Sequence, residues 1–109
     1  GAMRKKDIGS LYPSHKGKFK NIRSPNMLLP ILKILDKNGY FINNIDINLI
    51  CEKPKVSRYR GKIISSLSNL LSINKDQINL KGKTVEKLGL IGKEKAIACE
   101  TIVSLNYYA

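Results

Sequence analysis

A chain of 109 residues, 42% of them hydrophobic, supports one domain with a modest core and is too short for two. Twenty Lys and Arg against eight Asp and Glu leave a net charge of +12. That balance points to an anionic partner such as nucleic acid, a nucleotide, a phosphorylated metabolite or acidic lipid. No apolar run approaches the ~20 residues that cross a bilayer, and no secretory signal is visible, so a soluble protein without a membrane partner is expected.

Residues 1–23 are basic and show no sustained period. Gly1-Ala2-Met3 reads by itself as a cloning remnant. Asp7-Ile8-Gly9 with Leu11-Tyr12-Pro13 reads as an ordered turn carrying one carboxylate, and residues 14–20 as an exposed, mobile loop. Ser24 can cap a helix that has Pro25 at its first position, Met27, Leu28, Ile31, Leu32 and Leu35 on one face, and Gly39 at its end. Pro30, past the first turn, removes a backbone donor and is the weak point of that helix.

Over residues 41–51 the period changes to alternation. Phe41, Ile45, Ile47, Leu49 and Cys51 fall on one face, with Asn44, Asp46 and Asn48 on the other, as in a half-buried strand. Pro54 stops the ladder. Ile63, Ile64, Leu67, Leu70 and Leu71 give a second amphipathic helix. Residues 77–83 read as a second strand and 96–105 as a third.

In the third strand Ile97, Cys99, Thr101, Val103 and Leu105 share one face, and Ala96, Ala98, Glu100, Ile102 and Ser104 the other. The second face is apolar for open water yet carries a carboxylate. Either it packs against another subunit with Glu100 paired there, or Glu100 is simply exposed on a lightly apolar face. Cys51 and Cys99 both lie in apolar, strand-like runs, where a free thiol behaves as a small hydrophobe, so no disulfide and a reducing compartment are expected. Helix, strand, helix, strand, strand makes an α+β sandwich, a mixed sheet with helices on one face. It would be a ferredoxin-like βαββαβ unit if one more strand preceded residue 1.

Chemistry concentrates in residues 81–100, where Thr84, Glu86, Lys87, Gly89 and Gly92 fall within nine residues between two strands. A loop anchored by a sheet can hold such groups for a ligand, although a lysine-rich surface hairpin has the same composition. Two patches could hold an anion: Lys53 and Lys55 around Pro54, and Lys83, Thr84, Lys87 and Lys93 around the glycines. Sixteen of the twenty cations are lysines, which favours point-charge attraction to phosphate over guanine reading by arginine. Glu86 is either a salt-bridge partner of these cations or a Mg2+ ligand bridging phosphates. His15, the only histidine, has no partner for a zinc site and reads as an exposed loop residue.

Taken together, Asp7-Ile8-Gly9 with Leu11-Tyr12-Pro13, Lys37 to Tyr40 leading to Asn44-Ile45-Asp46, and the Pro54-Lys55 loop resemble the 2-C-methyl-D-erythritol 2,4-cyclodiphosphate synthase family. So does the run from Thr84 to Gly89 through Gly92 to Ile97-Ala98-Cys99-Glu100. The resemblance covers nearly all of the chain. It implies a cytoplasmic or plastid-type enzyme of non-mevalonate isoprenoid biosynthesis, a lyase that cyclises 4-diphosphocytidyl-2-C-methyl-D-erythritol 2-phosphate and expels CMP. It also implies a ferredoxin-like α+β sandwich, a homotrimer with sites between subunits, and Zn2+ together with Mg2+ or Mn2+.

By the same resemblance Asp7 binds the ribose hydroxyls, with Ile8, Gly9, Tyr12 and Pro13 beside the substrate. Cys51, Glu52, Lys53, Pro54, Lys55, Val56 and Ser57 form the loop that holds cytosine, largely through backbone atoms. Thr84, next to Lys83, stabilises the transition state, and Glu86 is the Mg2+ ligand. Leu90, Lys93 and Glu100 stand near the threefold axis, where Lys93 and Glu100 pair around an apolar cavity.

The departures are specific. The family's Asp-x-His zinc motif and its third histidine ligand have no counterpart. Gly1-Ala2 then align with the end of a family helix, so GAM reads as native sequence. Residues 1–109 form a single domain, the C-terminal two-thirds of the fold without its first strand or strands, and this chain alone is expected to be inactive. A Phe-Pro-Asp-x-Asp loop has become Tyr12-Pro13-Ser14-His15-Lys16, a run of threonines Lys83-Thr84-Val85, and an arginine Lys93. The rival readings are a basic nucleic-acid-binding module, which the sparse aromatics disfavour, and a trimeric relative that has lost catalysis.

Overall fold

The computed structural model describes residues 1–13 and 15–108. Ser14, a predicted departure from the family loop, lies outside the described residues. The chain divides into two compact units, one made of residues 1–41 with the end of the chain from Tyr107, the other of residues 42–106.

In the first unit, Asp7 caps a single helical turn, α1 (Ile8–Leu11), where the sequence predicts only a turn. Its Oδ1 accepts from the Ser10 N–H and the Ser10 hydroxyl, both at 3.0 Å, which satisfies a donor the short helix leaves open. The Tyr12 hydroxyl donates to the Met27 carbonyl at 2.7 Å and so fastens this turn to α2 (Ser24–Lys37). Arg23, not Ser24, is the residue before the helix, and no side chain caps it. The Arg23 carbonyl accepts from the N–H groups of Asn26 and Met27, so Ser24 is already helical. Pro30 sits inside α2 without ending it. Gly39 does end it, with φ +80, the left-handed geometry that glycine adopts without a Cβ penalty. Beyond it the rings of Tyr40 and Tyr107 lie 5.0 Å apart, and those of Phe41 and Tyr108 4.6 Å.

The second unit holds the core. Strand β1 (Tyr40–Ile50) pairs in parallel with β2 (Ile78–Lys83), Ile45 opposite Ile78 and Ile47 opposite Leu80. Parallel neighbours need a crossover, and α3 (Val56–Leu71) supplies it. Ile45, Ile47, Ile64, Ile78 and Leu80 form the buried cluster, with Leu49, Ile63, Leu67 and Leu71 packed against it. The predicted helix and strand faces meet as the periods require. Two departures stand out: Leu70, expected on the α3 face, is not among the residues packed on the cluster, and Ile42 packs there whereas Phe41, expected on the Ile45 face, is exposed and stacks on Tyr108. The inward side changes parity across the exposed pair Asn43 and Asn44.

Strand β3 (Ala98–Tyr107) lies on the other side of β1, giving the order β2-β1-β3. Partners descend along β3 as they ascend along β1, Tyr40 with Tyr107 and Asn43 with Ser104, so this pairing is antiparallel and the sheet is mixed. The α+β class is therefore as predicted. The strand begins two residues later than expected, which leaves Ala96 and Ile97 outside it. Cys51 is buried, but Cys99 is exposed, because both faces of β3 are largely open in the single chain. Among the described residues no helix is long and apolar enough to cross a membrane.

Candidate active site

Parallel strands send their carboxyl ends to the same edge, and loops leaving that edge are where α/β arrangements hold ligands. The chain leaves β1 into residues 51–57 and leaves β2 into residues 84–88. Between them is a cavity of about 320 Å3 lined by Cys51, Glu52, Pro54, Lys55, Val56, Ser57, Arg60, Leu80, Gly82, Lys83 and Thr84. Three cations against one carboxylate give its lining a net positive charge, which would attract an anion. Eight of the predicted substrate-site residues converge here from two separate stretches of sequence.

Each wall has a local cause. Three successive residues after β1 reach across to the second stretch. The Cys51 N–H donates to the Lys83 carbonyl at 3.0 Å. Glu52 Oε1 accepts from the N–H groups of Val85 at 3.1 Å and Lys87 at 3.0 Å. Lys53 Nζ lies 3.5 Å from Glu94 Oε1, both side chains well exposed. Lys53 thus serves the loop from outside the cavity. Within the loop the Cys51 thiol donates to the Pro54 carbonyl at 3.6 Å, and the bond between Lys53 and Pro54 is cis.

Glycine shapes the floor. A Cβ at Gly82 would stand 2.6 Å from the Val56 Cβ, so only glycine lets α3 begin this close to β2. A Cβ at Gly92, the last residue of α4 (Gly89–Gly92), would stand 2.6 Å from the Lys87 carbonyl oxygen. Of the two signature glycines, Gly92 serves this close backbone approach, whereas a Cβ at Gly89 would meet nothing within 4 Å and that residue instead holds a left-handed φ of +66.

Residues 85–88 form a turn closed by the Leu88 N–H donating to the Val85 carbonyl at 3.1 Å. Its central residues, Glu86 (φ +53) and Lys87 (φ +63), are both left-handed, as in a type I′ turn. Neither is the Gly or Asn such turns favour, and each costs about 1–3 kcal/mol of strain. Glu86 is exposed and takes part in neither of the ion pairs found among the described residues, so the alternative reading of it as salt-bridge partner of the neighbouring lysines gains no support. A single carboxylate is a fitting ligand for Mg2+, which is commonly held by one or two carboxylates together with substrate phosphates. Zinc does not fit: among the described residues no three His, Cys, Asp or Glu side chains gather, and His15 is exposed in its loop.

The remaining predicted residues stand elsewhere. Leu90 is 67% exposed. Lys93 and Glu100 are exposed and form no ion pair with each other among the described residues. Asp7, Ile8, Gly9, Tyr12 and Pro13 belong to the first unit, where Asp7 has the capping role already given.

One residue escapes the sequence reading, and so does the role of a predicted one, Glu52. Arg60 lines the cavity, one helical turn beyond Val56, and its Nε donates to the Leu80 carbonyl at 3.1 Å. The spacing of four from Val56 was the available signal. Glu52 acts through its carboxylate, which a loop read through backbone atoms does not foresee.

A cavity with a net positive lining at the carboxyl ends of a parallel strand pair, on a mixed three-stranded sheet, defines the class: an α+β protein with a cationic cavity between its strand-end loops. Within that class the chain belongs to the YgbB family, whose profile matches residues 1–106. It is 51% identical over 105 residues to the bifunctional enzyme IspD/IspF of Pelagibacter ubique, covering 96% of this chain and 28% of that protein. It is 46% identical over 99 residues to the apicoplast 2-C-methyl-D-erythritol 2,4-cyclodiphosphate synthase of Plasmodium falciparum, covering 91% of this chain and 41% of that one. The chain thus spans well under half the length of these two relatives. Among solved structures, the CDP complex of IspF from Plasmodium falciparum matches with a TM-score of 0.88 at 41% identity, covering 100% of this chain and 65% of that chain.

Proposed function

We propose that the protein carrying this chain converts 4-diphosphocytidyl-2-C-methyl-D-erythritol 2-phosphate to 2-C-methyl-D-erythritol 2,4-cyclodiphosphate and CMP. The observation that carries the reading is the cavity, which joins the cytidine loop of the family resemblance to Lys83 and Thr84 in one place. Relatives named for this reaction, and a CDP complex on the same fold, support it.

In the reaction an oxygen of the 2-phosphate attacks the phosphorus of the diphosphate that is bonded to the erythritol oxygen. The bond from that phosphorus to the bridging oxygen breaks, and CMP leaves with the electron pair. The chain's own groups position and neutralise charge. The loop of residues 51–57 holds the base, Lys55, Arg60 and Lys83 offset the charge of the diphosphate, and the Thr84 hydroxyl donates to oxygens that gain charge in the transition state. Mg2+, when held by Glu86 and phosphate oxygens, would supply further charge neutralisation.

Zn2+, on this reading, is held by residues outside the 109. The same reading takes the chain as one domain of a homotrimer in the cytoplasm or a plastid-type organelle, with Asp7 on the ribose and with Leu90, Lys93 and Glu100 near the threefold axis. Exposed Ile102 and Val103 on β3 favour such an assembly. The nucleic-acid module and the inactive trimeric relative gain no support from the comparisons. Calorimetric titration with CDP and CMP, with phosphorus NMR of the product, tests the proposal. Saturable CDP binding and appearance of the cyclic diphosphate are expected; a protein that binds neither nucleotide and releases no CMP overturns it.

A further inference from the structure

We infer that Glu52 is a positioning residue of this site, whose carboxylate holds the left-handed turn of residues 85–88 and thereby sets Thr84 and Glu86 against the nucleotide loop. The inference rests on the proposed function. Glu52 lines a cavity whose other charged walls are Lys55, Arg60 and Lys83, so a bare carboxylate there would repel the anion that the cations attract. It is not bare. One oxygen, Oε1, receives the N–H groups of both Val85 and Lys87, at 3.1 and 3.0 Å.

Those two amides flank Glu86, in a turn whose central residues hold φ +53 and +63 without glycine. A left-handed pair of this kind persists only where its surroundings over-determine it. Here the constraints are the Glu52 carboxylate on the amide side and the close approach of Gly92 to the Lys87 carbonyl on the other. Thr84 precedes the turn and Glu86 is its first central residue, so loss of the clamp moves both. The bond from the Cys51 N–H to the Lys83 carbonyl adjoins it and does not depend on the Glu52 side chain, so the base-holding loop keeps its tie to the end of β2 when the clamp is lost.

The experiment uses the protein as its gene encodes it, with Glu52→Ala, Glu52→Gln and the wild type. A misplacement of about an ångström costs roughly a hundredfold in rate. Glu52→Ala is therefore expected to lower kcat on the order of a hundredfold, to raise the Mg2+ concentration for half-maximal rate, and to leave the CDP dissociation constant within about threefold. Glu52→Gln keeps an oxygen that accepts both amides and should recover at least about tenfold of the lost rate. An unchanged kcat in Glu52→Ala, a loss of CDP affinity as large as the loss of rate, or no recovery in Glu52→Gln overturns the inference.

Amide exchange at Val85 and Lys87 provides a readout independent of turnover. Both should be protected in the wild type and in Glu52→Gln, and unprotected wild-type amides overturn the inference even if Glu52→Ala fails to fold. A wild type that binds no CDP sinks the functional reading instead, while the exchange measurement still decides whether Glu52 clamps the turn.

Discussion

Two strands flank β1, and the chain treats them in opposite ways. Strand β2 is covered by α3: Ile78 is 5% exposed and Leu80 3%. Strand β3 carries apolar residues on both of its faces, yet Ile102 is 75% exposed and Val103 44%. The difference comes from the direction in which each strand pairs with β1. The parallel pairing of β1 with β2 forces a crossover helix, and that helix brings its own apolar face to the pair. The antiparallel partner needs no crossover, so nothing in the second unit is obliged to cover it. One side of the sheet is covered by α3; the other carries exposed apolar residues, Ile102 and Val103 among them.

That contrast is broken most severely by Ile78→Ala. Loss of a buried isoleucine next to Ile45 and Ile64 is expected to cost about 2–5 kcal/mol, read as a shift in the denaturant midpoint at constant slope. A cost under about 1 kcal/mol would show that β2 is not the closed side. Ile102→Ala, the matching change on β3, should alter the stability of the unassembled chain by no more than about 0.5 kcal/mol. Ile102→Asp at the same place sharpens the point. If β3 meets further copies, light scattering should report a smaller assembled mass for this variant at unchanged secondary structure.

The smallest effect concerns the open polar face of the covered pair. Lys81 Nζ and the Asn79 amide both lie 3.1 Å from the Asp46 carboxylate. The Lys81 hydrogen bond, the largest influence, holds the carboxyl below its ordinary 3.8, against the opposing effect of desolvation. Because the folded value is the lower one, the pair's stabilisation is present above the unfolded value and is lost as pH falls below 3.8 through the folded value. Asp46→Asn should therefore flatten the acid limb of the stability profile and leave stability at neutral pH nearly unchanged, as for other exposed ion pairs.

Much of this was legible in the residues. The change from a helical period in α2 to alternation in β1 and back in α3 placed the elements of the core, because burial of one face leaves a period in the sequence. Pro54 with its flanking lysines marked a loop, and Thr84 to Gly92 marked the other wall. The family resemblance, carried by residues in every part of the chain, linked the two. Phe41 was misplaced because a change of strand parity at two exposed asparagines leaves no trace in the hydrophobic pattern. Cys99 lies in an apolar run and is nonetheless exposed, because such a run reports what a strand could bury and not what covers it.

The dense polar stretch after β2 shows where the sequence by itself stopped. Composition and order determined the core elements, the cationic charge, the glycines of the signature and the membership of Thr84 and Glu86 in one short loop, since these depend on neighbours in the chain. Only the tertiary structure decided that Gly82 faces Val56, that Arg60 joins the cavity, and that Glu52 binds amides 33 and 35 residues away. Such contacts depend on the register of β1 against β2, which brings distant backbone groups within hydrogen-bonding reach and leaves no periodic mark on either segment. The left-handed geometry of Glu86 and Lys87 is of the same origin. Local preference argues against it, and the Glu52 carboxylate and the approach of Gly92 hold it in place.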